Sequence, residues 1–187
     1  MEPRGYKALE PIYDTAINPE GWRRALDAMA ASFEAKAIAL VIRGKKAGVK
    51  DLTMMSSVYL KISRIPAGWY YGAWLSRIQN QDWYFLQTRR PHQPIPDLES
   101  GLTAEALDAR KDYVFLRKRT GVARRIGVRL NTDPIWFDAM SIGFDQSELK
   151  IPRSARERSS VLLPHLTKAL EIGRVFTLLK ARCKAAL

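Results

Sequence analysis

Nine aromatic side chains, Trp69, Tyr70, Trp74, Trp83, Tyr84, Tyr113, Phe115, Trp136 and Phe137, are gathered in a few short stretches of this sequence. Two carboxylates stand among them, Asp82 in NQDWYF and Asp138 in IWFDAM. Rings and a few polar groups suit recognition of a small molecule: the rings gain from burial, and the polar groups fix orientation. A carboxylate in such a place accepts hydrogen bonds from a ligand amide or amine. The expected ligand contacts are therefore Trp69, Tyr70, Trp74, Asp82, Trp83, Tyr84, Trp136 and Asp138. The competing reading is that the rings only fill a core between helices and sheet. Even then a buried Asp138 needs a partner, because an unpaired buried charge costs several kcal/mol. Arg125, Arg129 or a ligand could supply it.

Covalent and metal chemistry have little to work with. The chain has two histidines, His92 and His165, and one cysteine, Cys183, and no H-E-x-x-H, C-x-x-C, G-x-S-x-G or P-loop pattern occurs. No catalytic residue, metal site or cofactor is expected, and His165 reads as a packing or hydrogen-bonding histidine on a helix.

The charge is uneven. Thirty-one Lys and Arg against 19 Asp and Glu give +12, and residues 110–129, RKDYVFLRKRTGVARRIGVR, set eight cations against Asp112 alone. Such a segment attracts polyanions. It contains no base-reading motif, so a stand-alone nucleic-acid-binding or protein-interaction module is the alternative reading rather than the leading one. A single cysteine permits no internal disulfide and fits a reducing compartment. The start, MEPRGYKALEP, carries no apolar signal core, and no run reaches the length of a membrane span; a cytoplasmic protein without membrane contact is expected.

The elements that must position these residues are legible from spacing. Leu9, Ile12, Tyr13 and Ala16 recur at helical steps, and Asn18-Pro19 opens a second helix that places Trp22, Leu26, Met29, Ala30 and Phe33 on one face. KAIALVIR, then GKKAGVK, then LTMMSSVYLKI predict a β-hairpin. Residues 66–90 read as partly helical, and PHQPIPD, with three prolines, as irregular. Thr103 caps a helix that runs to Gly121, and RIGVRL, NTDP and Ile135–Phe144 predict a second hairpin. Trp136, Asp138, Met140, Ile142 and Phe144 would share one face of its second strand. Ser154 and Glu157 fit a capping box, so a last helix begins near Ala155 and covers roughly 50 Å at ~1.5 Å per residue. Pro164 lies inside it and predicts a kink or break near Ser160. The expected fold is α+β: one antiparallel sheet flanked by helices with a long C-terminal helix. Residues 1–153 form the body, and 154–187 a linker or dimerisation helix.

Two stretches carry a family resemblance. PIYDTAINPEGWRRALDAMAASFEAKAIALVIR and LLPHLTKALEIGRVFTLLKAR resemble the N-terminal sensory region of LuxR-class helix-turn-helix transcriptional regulators of bacteria, through Ile12, Tyr13, Asp14, Pro19 and Trp22 and through Pro164, His165, Leu166, Ala169 and Leu170. The resemblance implies a PAS- or GAF-like sensor fold in a cytoplasmic transcriptional regulator that dimerises, with DNA reached through a C-terminal domain of which no counterpart is present here. The aromatic middle does not reproduce the acyl-homoserine-lactone pocket pattern of quorum-sensing members, so that ligand is not implied; a small-molecule effector of another kind is. Beyond Leu170, the residues Ile172, Val175, Phe176, Leu179 and Cys183 recur at steps of three and four, the spacing of a seam between two helices. Ile172, Val175, Phe176 and Leu179 are the expected dimerisation residues.

Overall fold

The computed structural model of the chain describes residues 6–45, 52–63, 85–145 and 153–185. Helices α1 (Leu9–Ile17) and α2 (Trp22–Phe33) come first, joined by a short turn in which the Asn18 side chain accepts a hydrogen bond from the Glu20 amide. Strands β1 (Ala37–Gly44) and β2 (Leu52–Met55) then pair antiparallel, followed by α3 (Ser57–Ser63). After β3 (Pro94–Pro96) come α4 (Ala104–Ala109) and α5 (Lys111–Thr120), then the hairpin β4 (Arg124–Arg129) and β5 (Trp136–Phe144), and finally α6 (Arg153–Ala185).

Both hairpins form, although the second strand of the first stops at Met55 and the SVYLKI expected to continue it is helical, and they join into one five-stranded antiparallel sheet in the order β2-β1-β5-β4-β3. The seam between them is β1 against β5, with Ala37 opposite Gly143 and Gly44 opposite Trp136. One face of the sheet carries Ile38, Leu40 and Ile42 of β1, Ile126 and Val128 of β4, and Met140, Ile142 and Phe144 of β5. These pack in one core with Ile12 of α1, Leu26, Met29 and Phe33 of α2, and Leu162, Leu163, Leu166, Ala169 and Leu170 of α6. The opposite face carries small residues on the two central strands, Ala37 and Ala39, then Ala139, Ser141 and Gly143. Gly143 is required there: a Cβ would lie 2.6 Å from the Tyr59 hydroxyl and 2.9 Å from the Val122 methyls.

Three further local expectations differ from what forms. PHQPIPD is not wholly irregular, because Pro94–Pro96 makes a short edge strand with Ile95 opposite Gly127; proline is tolerated at a sheet edge, where missing amide hydrogens need no partner. The helix expected from Thr103 to Gly121 is two helices, since Arg110 adopts extended backbone (φ −63°, ψ 130°) between them. Thr103 does cap the first, through Ala106, and Gly121 at φ 75° ends the second. The third is α6, which runs unbroken from Arg153 to Ala185 with Pro164 inside it. Both Pro164 and Ser160 are exposed residues, the side of a helix on which a carbonyl without its intrahelical donor costs least because water can reach it. No helix of the described residues is long and apolar enough to cross a membrane.

Candidate functional site

Six of the eight expected ligand contacts, Trp69, Tyr70, Trp74, Asp82, Trp83 and Tyr84, lie outside the described residues. The other two, Trp136 and Asp138, sit on β5, on the face that packs against the helices. Asp138 is fully buried, and the side chains that meet it are those of Arg174 and Asn131 rather than Arg125 or Arg129. Arg174 of α6 donates from Nη2 to both carboxylate oxygens at 2.5 Å, and Asn131 donates from Nδ2 to Oδ2 at 2.5 Å. The Arg174 guanidinium also stands 5.1 Å from the centre of the Trp136 ring. Burial pushes the Asp138 carboxyl above the usual carboxylate range, while Arg174 and Asn131 pull it back. The two candidates thus hold the terminal helix.

Polar contacts tie α6 down at two further levels. The Tyr13 hydroxyl and His165 Nδ1 are 2.7 Å apart, with the rings edge to face. The two stretches that carry the family resemblance therefore meet in space. Two residues further along the helix, the Thr167 hydroxyl lies 2.9 Å from His92 Nε2 and itself reaches the Leu130 carbonyl at 3.1 Å. His92 has left-handed backbone at φ 62°. Burial holds its imidazole below the ordinary histidine pKa, against a contact with the Leu130 carbonyl that favours the cation. The unfolded chain accordingly binds this proton more readily, so the His92 contribution is complete above pH 6.5 and is lost as pH falls toward the depressed folded value. His92→Asn keeps a residue at ease in left-handed backbone and should flatten the melting temperature between about pH 6.5 and pH 5.5. An unchanged slope would assign that acid sensitivity to carboxylates instead.

Beyond Gly173 the helix changes character. Every residue from Val175 to Ala185 is exposed, including Val175 at 57%, Phe176 at 39% and Leu179 at 52%, and Ile172 at 38% begins the same stripe. The Lys180 ammonium lies over the Phe176 ring at 4.8 Å. Helical steps bring Ile172, Phe176, Leu179 and Cys183 into line, four apart, then three, then four, the d and a positions of a heptad.

The basic segment is largely spoken for. Asp112, wholly buried, receives Arg110 from Nε at 3.0 Å and Nη2 at 2.9 Å, and Arg125 from Nη2 at 2.9 Å. Arg125 lies over the Tyr113 ring at 4.4 Å, and Tyr113 donates its hydroxyl proton to Asp97 at 2.8 Å. Arg117 and Arg124 converge on Asp108 at 2.6 and 2.5 Å, which holds that carboxyl below its ordinary pKa, chiefly through the Arg124 hydrogen bond. Arg129 donates to the carbonyls of Asn131, Gln87 and Arg89. Burial raises the nearby Tyr59 phenol to about 12, with Arg125 opposing. What sequence spacing missed is this reciprocity: Asp108 and Asp112 look unremarkable in the chain, yet they neutralise cations up to 16 residues away, and Asp97 accepts from the Arg125 backbone amide 28 residues on.

No protein-family model and no curated protein matches the chain. Solved structures do. The chain is similar to the VqsR LBD domain from Pseudomonas aeruginosa, with a TM-score of 0.60 and 11% identity over 91% of this chain and 96% of that one. It is similar to Escherichia coli SdiA, TM-score 0.54 and 9% identity, over 88% of this chain and 65% of that one. A GAF domain assigned to a sensor histidine kinase from Pseudomonas syringae pv. tomato follows, TM-score 0.50 and 16% identity, over 95% and 92%. At these identities the likeness is one of fold: an α+β arrangement of one antiparallel sheet flanked by helices.

Proposed function

We propose that the chain is the signal-receiving domain of a bacterial transcriptional regulator, that it binds a small molecule or a protein partner without catalysing a reaction, and that it signals through a dimerising terminal helix. One observation carries the reading: α6 is clamped to the body as far as Arg174 and then projects with an apolar stripe facing solvent. A helix half anchored and half unpartnered is the form expected of an output element. The GAF-like fold and the likeness to an LBD domain support the sensory half of the proposal. Effector contacts fall to Trp69, Tyr70, Trp74, Asp82, Trp83 and Tyr84, since Trp136 and Asp138 are engaged with Arg174. DNA would be reached through a further domain, not through the segment 110–129, whose arginines mostly have partners within the body.

Thermal melting against a panel of metabolites tests the effector. A compound that binds only the folded chain adds about 2.7 kcal/mol of stability at a hundred times its dissociation constant. The shift should vanish in Asp82→Ala and survive in Asp138→Asn. A shift that behaves the other way round would move the effector to the helical face; no shift with any compound would leave a protein partner as the signal.

A further inference from the structure

The point where α6 leaves the body is unusually well held. At Gly173 the helix presses on α1, so that a Cβ there would lie 3.4 Å from the Ala16 carbonyl oxygen. At the next residue Arg174 reaches the other way, to Asp138 on β5, and from Val175 onward the described side chains are all exposed. Two consecutive residues thus pin the helix between α1 and the sheet, and of these two contacts only the second is polar and directional. Asp138 has no freedom of its own. It is fully buried, its carbonyl accepts from the Leu130 amide at 2.9 Å, and Asn131 holds the carboxylate from the side. Its neighbours along the strand, Phe137 and Ala139, are buried on the opposite face, packed with Val41, Leu86 and Ile95.

We infer that the Asp138–Arg174 pair is a joint that fixes the direction in which the projecting half of α6 leaves the body and ties that direction to the position of β5. The chemistry supports this. Arg174 sets one nitrogen, Nη2, against both oxygens of a carboxylate that cannot turn, a charge-assisted contact with a direction that an apolar contact lacks, and it is made at the last residue before the helix is free. A displacement of Phe137 or Ala139 on one face of β5 carries Asp138 with it on the other, because alternate side chains share one backbone. The inference deepens the sensory reading and rests on it only for what displaces β5. Arg174 is here a positioning residue.

The test separates direction from stability. In Asp138→Leu/Arg174→Met the buried pair is replaced by apolar side chains, an exchange that often leaves stability intact. Spin labels on Cys183 and on Arg23→Cys, an exposed position on α2, report the bearing of the helix tip when labelled protein is diluted into an excess of unlabelled protein. The expected result is one narrow distance distribution in the otherwise native chain and a distribution roughly twice as wide in the double variant, at an unchanged melting temperature. Arg174→Lys, which keeps the charge as a point donor, should fall between them. An unchanged distribution in the double variant overturns the inference and leaves the pair a purely stabilising one. Should the double variant fail to fold, Asp138→Asn alone decides: it keeps the volume and removes the charge that holds Arg174, and a distribution as narrow as the native one rejects the directional role. The experiment needs no effector, so its failure is distinct from failure of the effector test above.

Discussion

Phe176→Asp is expected to convert the protein from dimer to monomer while leaving its body folded. In a two-fold seam each copy contributes this ring, and a buried aromatic anchor is worth about 2 kcal/mol or more per copy. Losing both weakens self-association roughly a thousandfold. The monomer should scarcely notice, because Phe176 is exposed and its one described ring contact is Lys180. An Asp four residues before a Lys is itself a favourable helical pair. Sedimentation over a concentration series, with circular dichroism on the same samples, reads both effects. A native chain already monomeric at high concentration, or a variant that associates as the native chain does, removes the dimer seam from the proposal. Cys183 adds orientation: in a parallel seam it stands at an a position facing its counterpart, and mild oxidation should then yield a covalent dimer that Phe176→Asp no longer forms.

The second large effect is on folding. Asp112→Ala should destabilise the protein by about 3–5 kcal/mol, because Arg110 and Arg125 lose the carboxylate both share and remain in a place where water reaches poorly. For a chain of this size the melting temperature should drop by roughly 10 °C or more. Arg119→Ala, an exposed cation of the same segment, is the control and should cost within about 0.5 kcal/mol. Denaturant melts of the two variants decide whether the arginines of 110–129 serve the interior. Equal stability would return them to the surface as a charged patch open to polyanions.

Local order was largely legible in the sequence. β-branched runs marked both hairpins, with glycines in the first turn and NTDP as the second, Thr103 and Gly121 marked helix ends that form, and the apolar steps of the terminal helix marked which half would be buried. Asparagine and proline at 18 and 19 marked the turn into α2. What could not be read is anything that depends on two distant residues meeting. The pairing of β1 with β5 joins positions about a hundred apart, and nothing in either strand names the other. Arg174 lies 36 residues from Asp138, farther along the chain than the neighbouring arginines that nominal proximity favoured. The break at Arg110 had no glycine or proline to announce it, and it follows instead from Arg110 turning back on Asp112. Pro164 misled in the opposite sense: its cost depends on which side of the helix faces water, which only packing decides.

The short strand β3 has a consequence for how these molecules can meet one another. Two of its three residues, Pro94 and Pro96, have no amide hydrogen, so the strand offers at most one donor, that of Ile95, to anything laid along it. That end of the sheet is chemically closed to further strands. At the opposite end β2 pairs, among the described residues, on one side only, with β1, and its Leu52 is more than half exposed. Crowded or partly unfolded chains that stick by strand addition should therefore do so from one end alone, giving pairs that stop at two rather than fibres that keep growing.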